Sequence, residues 1–401
     1  MLRIPRYGNL LLLLGTVATT LLLAELALRF FGVAYPYWSR VDPLTGFSPR
    51  PGVSGWVHDE GDAFVRINSK GFRDRDHTIE KPAHTLRIAV LGDSMTEARQ
   101  VDVSQTFWSI LEQNLRSCPG LEGRTPEVMN FGVSGYGTGQ EYLLLERIWP
   151  YEPDIVLLAF YPGNDVLNNS RELEHSDQKP YVDEIDGMLV PDFSFRETSF
   201  YRRQSSLTAR FALSVIDHSR IAQAVSQAFR TVRRIRQIRA STPSLSPSEA
   251  AKGSLDPELY RPPTVQSHID AWRITERLLG AMDDEAARHR ARFGVMTIPL
   301  PESIYPDPSL RAAEERARGV RDLFYAEDRI EALGKKEGFP VFALGRRMQT
   351  MAQERGTYFN GFPRTKPGTG HLNVAGQAAA GQLISDDVCT WTGTYTDSVS
   401  N

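Results

Sequence analysis

The chain has 401 residues, of which 41% are hydrophobic and 24% charged, and its formal net charge is −3. This length is enough for a large buried core, in one big domain or two smaller ones. The nearly balanced charge gives no reason to expect a nucleic-acid partner. The two cysteines, Cys118 and Cys389, are too few for a metal cluster or a disulfide framework. They can form one bridge in an oxidising compartment or remain two free thiols.

Residues 1–34 predict a cytoplasmic tail followed by a single membrane-spanning helix. Arg3 and Arg6 precede an apolar stretch, residues 10–33, that is long enough to cross a bilayer. A cleaved signal peptide is the alternative. An uncleaved anchor is favoured because the apolar run is long for a signal and lacks a convincing small-residue cleavage site. Positive charge at the extreme N-terminus predicts that the rest of the chain lies outside an inner membrane, in the periplasm or beyond it.

The remaining chain predicts one main α/β domain with a collar before it. Residues 35–82, rich in Pro, Gly and charge, are expected to be loops and short strands packed on that domain, which covers residues 83–390 and precedes a tail at 391–401. Apolar runs that predict strands alternate with helical patterns, and these runs are 86–91, 128–131, 154–160, 294–298 and 341–344. Such alternation predicts right-handed crossovers and a parallel, three-layer α/β/α sheet.

A long insertion, residues 167–266, separates the third and fourth predicted strands. From Leu207 to Ile238 its apolar residues keep a helical period, and arginines fill most positions between them. Such a basic amphipathic helix can lie on anionic lipid or on an acidic polymer, or it can pack its apolar face on the core. Residues 241–263, rich in Ser and Pro, predict a flexible loop.

Candidate chemistry begins at Gly92-Asp93-Ser94, directly after the first strand of the domain. A serine on a strand-to-helix turn projects its hydroxyl from the carboxyl edge of the sheet, where open α/β folds bind ligands. The first amides of the following helix can receive negative charge there. The alternative is an ordinary turn in which Ser94 only caps the helix.

Three more loops are predicted at the same edge of the sheet. The second strand runs into a glycine-rich loop, Asn130 to Gly137, where a backbone N–H can approach a ligand closely. The third ends in Gly163-Asn164-Asp165, and an amide there can donate to a developing oxyanion. Near the C-terminus, His371 lies in a loop that leads into a helix. Each segment alone also fits a plain turn.

The four segments in this order resemble the SGNH, or GDSL-type, serine hydrolase superfamily. The matching blocks are Gly-Asp-Ser at 92–94, Asn-x-Gly-x-x-Gly at 130–135, Gly-Asn-Asp at 163–165 and Gly-His-Leu-Asn at 370–373. The resemblance covers about residues 83–388 and implies a flavodoxin-like sheet. It also implies Ser94 as nucleophile, His371 as base, and an oxyanion hole made by the N–H groups of Ser94 and Gly135 and the side chain of Asn164.

One position departs from the family pattern. The family commonly has Asp three residues before its histidine, and here that residue is Gly368, followed by Thr369. A histidine base needs an acceptor on its other nitrogen to fix its tautomer. A backbone carbonyl, giving a Ser–His dyad, is favoured over an acid that is distant in sequence. Asp93 and Asp165 are the candidate supporting acids, although an Asp beside a turn more often caps backbone amides.

The predicted function is a membrane-anchored serine esterase. Its expected substrate is an ester-bearing small molecule or the O-acyl, for instance O-acetyl, groups of a cell-surface glycan or lipid. The bilayer is expected to contact residues 10–33, and no metal or cofactor is expected. One alternative is an O-acetyltransferase that modifies exported polysaccharide. The other is a non-catalytic glycan-binding or assembly protein, for which Gly368 is the best support.

Overall fold

The computed structural model describes residues 6–241 and 256–399 of the chain. The strands of these residues are β1 (Ser39–Asp42), β2 (Gly46–Pro49), β3 (Ser54–Val57), β4 (Ala63–Arg66), β5 (Thr85–Gly92), β6 (Thr125–Asn130), β7 (Ile155–Phe160), β8 (Tyr181–Ile185), β9 (Met188–Asp192), β10 (Arg292–Thr297) and β11 (Val341–Ala343). Their α-helices are α1 (Arg6–Phe30), α2 (Ser94–Glu97), α3 (Phe107–Leu115), α4 (Thr138–Ile148), α5 (Pro162–Asp165), α6 (Arg171–Glu174), α7 (Ser199–Gln204), α8 (Leu207–His218), α9 (Arg220–Ser241), α10 (Gln266–Arg288), α11 (Pro308–Arg318), α12 (Tyr325–Glu337), α13 (Gly345–Arg355) and α14 (Val374–Val399).

Five parallel strands form the central sheet, in the spatial order β6–β5–β7–β10–β11. Numbered along the chain this order is 2-1-3-4-5, the doubly wound arrangement of flavodoxin. Every residue of β7 is buried, and so is every residue of β5 except its first. Because successive side chains point to opposite faces of a sheet, both faces must be covered. The predicted flavodoxin-like parallel α/β sheet is confirmed.

Helix pairs cover this sheet and leave its carboxyl edge for loops. Helix α3 packs against α14, and α4 packs against α10. Strand β5 lies between β6 and β7, with Val90 opposite Asn130 and Gly92 opposite Ala159. The loops that follow these three strands therefore start side by side, which brings three of the four predicted site segments together.

The collar is built into the main domain by buried polar contacts. It contains the hairpins β1–β2 and β3–β4. The hydroxyl of Tyr136 donates to the Phe47 carbonyl oxygen of the β1–β2 hairpin at 2.6 Å, and it also lies 2.7 Å from the Thr45 hydroxyl. The guanidinium of Arg73, almost fully buried, donates to the carbonyl oxygens that end α2, among them that of Glu97 at 2.9 Å. The collar thus holds the turn that carries Ser94.

The insertion differs from its prediction in three respects. The hairpin β8–β9 was not predicted. The expected single helix is interrupted at Ser219, whose backbone is extended, so that α8 and α9 are separate. Residues 242–255, most of the expected flexible loop, lie outside the described residues. The expected flexible loop was predicted to extend to residue 263. Its C-terminal part is instead ordered, because Leu259 and Tyr260 lie in a short turn buried in the core.

Helix α1 includes a candidate membrane span, Gly8–Phe30, with a mean hydropathy of 2.1 and no part buried in the protein. Most of its side chains are apolar and exposed, including Leu12, Leu13 and Leu22. In water such a surface is unfavourable, whereas length and composition both match the core of a bilayer. A signal sequence has the same properties, so the helix alone does not distinguish the two.

The two cysteines form a disulfide bond, which decides between the two states left open above. Cys118, shortly after α3, is bonded to Cys389 in α14, and their Cα atoms lie 5.7 Å apart. The bridge closes a loop across a sequence separation of 271 residues. It links two helices that already pack on each other.

Candidate active site

Ser94 lies where the sequence places it, on the turn from β5 into α2. Gly92 ends the strand with φ of +153°, and a Cβ atom there would come within 2.2 Å of the Thr96 hydroxyl. Only glycine lets the chain turn this tightly beside Thr96. Asp93 then caps the helix by accepting from the Met95 N–H at 2.8 Å. The next residue, Ser94, keeps its side chain partly exposed at the edge of the sheet.

His371 lies beside that serine, although 277 residues separate them in sequence. Its Nε2 is 2.9 Å from the Ser94 Oγ. The loop is held by Asn373, whose amide nitrogen donates to the carbonyl oxygens of Tyr358 and Gly361 at 2.9 and 3.1 Å. The same side chain accepts from the Gly376 N–H at the start of α14. The structure therefore brings the two predicted residues within hydrogen-bond distance.

A carboxylate from the collar, Glu60, occupies the other side of the imidazole. Glu60 Oε1 is 2.9 Å from His371 Nδ1, and Oε2 accepts from the His371 backbone N–H at 3.2 Å. A carboxylate only accepts, so Nδ1 carries the proton and Nε2 is left to accept from the serine hydroxyl. Burial raises the pKa of Glu60, but the hydrogen bond and charge of His371 outweigh it, and the pKa is lowered.

This arrangement corrects the expectation that a backbone carbonyl orients His371. Gly368 has φ of +77°, and a Cβ atom there would lie 2.6 Å from the ring of Tyr305 and 2.9 Å from that of Tyr358. An Asp therefore does not fit at the family's usual position. Glu60 reaches the histidine from the turn between β3 and β4, which Arg364 ties to the main domain by donating to the carbonyl of His58 and to Asp62.

The two acids proposed from the sequence, Asp93 and Asp165, have other partners. Besides capping Met95, Asp93 accepts from the Asn164 amide at 2.6 Å. Asp165 accepts from the Tyr161 backbone N–H at 2.7 Å. Neither is hydrogen-bonded to His371, so the expectation of either as the supporting acid is wrong. Burial raises the pKa of Asp93 to about 6, with the Met95 and Asn164 hydrogen bonds opposing the rise.

The expected oxyanion donors lie on the loops after β5, β6 and β7. An amide nitrogen carries two hydrogens, so the bond from Asn164 to Asp93 uses one and fixes the plane of the amide. The loop that carries Gly135 is attached to α2 through Ser134, whose backbone N–H donates to the buried carboxylate of Glu97 at 2.8 Å. Gly135 itself has φ of +85°.

A second group of acids lies beneath these loops. Glu141 on α4 is fully buried, and neither of its carboxylate oxygens has a hydrogen-bond partner among the described residues. Burial, and then the charge of Asp93, raises its pKa well above the usual value. Burial and the charges of Glu141 and Asp93 do the same to Asp165. Burial without a hydrogen-bond partner in the described part of the chain therefore favours the neutral, protonated form of Glu141.

Sequence reasoning missed Glu60. It lies in an acidic turn, Asp59 to Asp62, more than 300 residues before the histidine, and nothing in its neighbourhood marks it as special. The absent acid at position 368 showed that another acceptor was needed. Only the fold of the collar shows which one. Among residues 6–241 and 256–399, no three His, Cys, Asp or Glu side chains are grouped so as to hold a metal ion.

Taken together, the site is a serine–histidine–carboxylate constellation at the carboxyl edge of a 2-1-3-4-5 parallel sheet. This is the arrangement found in serine hydrolases of several unrelated folds, which is defined by geometry and not by sequence order.

Solved structures similar to this chain include esterases and a protein described as lipolytic. The acetyl xylan esterase AlAXEase is 12% identical, over 76% of this chain and 100% of that one, with a TM-score of 0.39. TesA is 14% identical over 74% and 95%, with a TM-score of 0.34. A protein from Desulfitobacterium hafniense DCB-2, described as lipolytic and of the G-D-S-L family, is 10% identical over 75% and 99%, with a TM-score of 0.35. No protein-family model and no curated protein matches the sequence.

Proposed function

We propose that this chain is a membrane-anchored serine esterase that works through an acyl-serine intermediate. The single observation that carries the proposal is the chain of contacts from Ser94 Oγ to His371 Nε2 and from His371 Nδ1 to Glu60, each 2.9 Å long. A serine hydroxyl is a weak nucleophile at neutral pH and needs a base within this distance. Here Ser94 is the nucleophile, His371 is the base, and Glu60 is the carboxylate that orients the base.

In the first half of the reaction, Ser94 Oγ attacks the ester carbonyl carbon while its proton moves to His371 Nε2. The tetrahedral intermediate collapses, the bond to the alcohol oxygen breaks, and the leaving alcohol takes the proton from Nε2. Glu60 stabilises the imidazolium that exists between these two proton transfers. Its lowered pKa means that it carries the negative charge this task requires.

The negative charge on the former carbonyl oxygen needs fixed donors. Those proposed are the N–H groups of Ser94 and Gly135 and the Asn164 amide, each from a loop at the same edge of the sheet. Asp93 acts as a positioning residue, because it holds the Asn164 amide at 2.6 Å before substrate arrives. A donor of this kind contributes about 3–4 kcal/mol to transition-state stabilisation.

In the second half, a water molecule attacks the acyl carbon while His371 Nε2 accepts its proton. The bond from the acyl carbon to Ser94 Oγ then breaks, Oγ takes the proton from Nε2, and the carboxylic acid leaves. If a sugar hydroxyl attacked in place of water, the same site would be an O-acetyltransferase. The main support for the alternative of a non-catalytic binding protein was the missing acid at position 368. Glu60 supplies that acid, so this support no longer holds.

The proposed substrate class rests on the proposed location of the domain. The exposed apolar helix α1 supports an inner-membrane anchor, with the domain on the periplasmic or extracellular side. The Cys118–Cys389 disulfide supports the same side, since disulfides persist in oxidising compartments. We therefore propose O-acyl groups, acetyl among them, of a cell-surface glycan or lipid as the substrate.

The test is the turnover of a chromogenic acetyl ester by the purified full chain, with Ser94→Ala as the variant. We expect kcat/KM to fall about 10⁴-fold or more, because removal of a triad nucleophile leaves only binding and the oxyanion hole. Ser117→Ala, an exposed serine at the end of α3, is the matched control and should keep full activity. Unchanged turnover in Ser94→Ala would refute the proposal. Mass spectrometry of the products, with and without a glycan acceptor, separates hydrolysis from transfer.

A further inference from the structure

Helix α8 is apolar but uncovered. None of its residues is buried, and along one face Leu207 is 81% exposed, Phe211 72% and Val215 47%. Its other face does not pack tightly on the core either, because Leu213 and Ile216 line a cavity of about 1330 Å³ between this helix and the collar. A helix that carries large apolar side chains on its surface is normally covered by protein or lipid.

Helix α9 continues the same surface. Val225, Phe229 and Val232 follow each other at helical spacing, and each is about half exposed or more. The opposite face of α9 contacts the segment after α1, where Gln223 accepts from the Tyr35 N–H at 3.0 Å and the Arg230 guanidinium lies 4.1 Å from the ring centre of Tyr37. The alternative that the apolar face of this segment packs on the core is wrong for α8 and for Val225, Phe229 and Val232 of α9.

The candidate membrane helix contacts the corner between α8 and α9. Glu25 of α1 accepts from the backbone N–H groups of Arg220 and Ile221, at 2.9 and 3.1 Å, and from the Ser219 hydroxyl at 3.1 Å. Arg29 donates to the His218 carbonyl at 2.7 Å. Glu25 lies five residues, about 7 Å along the axis, before the last residue of α1, Phe30. The exposed apolar faces of α8 and α9 are thus attached to the end of that helix.

The charge of this segment is strongly positive. From residue 199 to residue 239 the sequence holds nine arginines and a single acid, Asp217. That acid is paired with Arg50 of the collar. Arg210, Arg233 and Arg236 are exposed beside the apolar side chains. Arginine next to exposed Leu, Phe and Val is the composition of helices that lie in the headgroup region of anionic membranes.

We propose that α8 and α9 form an interfacial membrane-contact surface, seated on the anionic phospholipid bilayer that α1 spans. The proposal rests on the anchoring by α1 proposed above. Large apolar side chains enter the boundary between headgroups and acyl chains, and the arginines contact phosphate groups. The hydrolase domain is then held to the membrane at two places, which fixes its orientation relative to the surface.

The test is lipid quenching of a fluorophore on the full chain in nanodiscs of phosphatidylcholine and phosphatidylglycerol. Since both native cysteines are bonded to each other, a thiol-reactive NBD label attaches only to an introduced cysteine. Phe211→Cys and Phe229→Cys report on the proposed surface. Met188→Cys, at an exposed position in the β8–β9 hairpin, is the matched control, and Leu12→Cys reports on α1. The quencher is a phospholipid with a nitroxide near the headgroup end of its acyl chain.

We expect labels at 211 and 229 to be quenched several times more strongly than the label at 188. Equal quenching of the labels at 211, 229 and 188, together with quenching of the label at position 12, would overturn the proposed contact surface. That result would still support α1 as the membrane anchor. Labels at 211 and 229 that are shielded from aqueous iodide but not quenched by lipid would show a second copy or another protein there, and would also overturn it. A label at position 12 that lipid does not quench would refute the anchor itself.

Discussion

At the scale of single residues, the site depends on a carboxylate that its own sequence block does not supply. The rings of Tyr305 and Tyr358 leave no room for a side chain at position 368, and Glu60 replaces it from the opposite end of the chain. Ser94, Gly135 and Asn164 could be selected from the sequence because each follows a strand, and His371 because its loop leads into a helix. Glu60 could not, because its position depends on how the collar packs.

Replacing Glu60 by Gln tests that assignment. The amide keeps the size of the side chain but removes its charge, so the imidazolium loses its stabilisation and the favoured tautomer changes. We expect kcat/KM to fall by about 10²–10⁴-fold with little change in folding. The measurement is steady-state esterase kinetics together with circular dichroism.

The matched control is Asp59→Asn, which removes a charge from the exposed neighbouring residue of the same turn. It should leave the kinetics unchanged. If Glu60→Gln keeps wild-type kcat/KM, the carboxylate has no catalytic function and His371 works in a dyad.

At the scale of elements, the strands of the central sheet were predictable and the environment of helix surfaces was not. The apolar runs that became β5, β6 and β7 are buried by any parallel sheet, so their pattern is enough. The helical period from Leu207 onward correctly indicated helix, but period alone does not say whether the apolar face meets the core. Ser219 interrupts the helix, and α8 stays exposed. The sequence pattern of α4 likewise does not show which of its side chains are buried, and the acidic Glu141 is inside the core.

Glu141 makes a specific contribution to the pH dependence of stability. Its pKa in the folded chain is raised well above the usual 4.5 by burial. At low pH the Glu141 carboxyl is neutral in both the folded and the unfolded chain, so its ionisation does not affect the free energy of unfolding. As the pH rises through the usual pKa of a glutamate, Glu141 ionises in the unfolded chain but stays neutral in the folded chain. The free energy of unfolding therefore decreases with rising pH until the pKa of Glu141 in the folded chain is reached.

Glu141→Gln should remove this loss. We expect the free energy of unfolding of the variant, relative to wild type, to increase as the pH rises above 4.5, the usual pKa of the carboxyl, as measured by urea denaturation of the full chain in detergent. Glu146→Gln, on an exposed position of the same helix, should show no such slope. A Glu141→Gln curve parallel to wild type over this range would mean that the carboxyl is ionised in the folded chain.

At the scale of the whole molecule, the disulfide and the candidate membrane helix α1 both support the proposed location of the domain outside the cytoplasm. The pairing of Cys118 with Cys389 could not be decided from the sequence, because it depends on the packing of α3 against α14. The bridge restricts the unfolded chain over a separation of 271 residues. We expect the double variant Cys118→Ser/Cys389→Ser to lose about 2–4 kcal/mol of stability and to retain activity at low temperature.

Thermal denaturation of the double variant and of the wild-type chain measures that loss. Thiol counting on protein from the membrane fraction, before any reductant is added, measures whether the bridge forms in the cell. Two titratable thiols there would contradict the proposed location.

The proposed catalytic function of Ser94 is tested by identifying the residue that an ester-mimicking phosphonate modifies. A fluorophosphonate reacts with a serine only when a neighbouring base and oxyanion donors activate it, so the probe reports the whole constellation. The full chain should gain one phosphonyl group, peptide mass spectrometry should place it on Ser94, and His371→Ala should abolish the reaction. Absence of labelling in the folded protein, or a label on any other serine, would contradict the account.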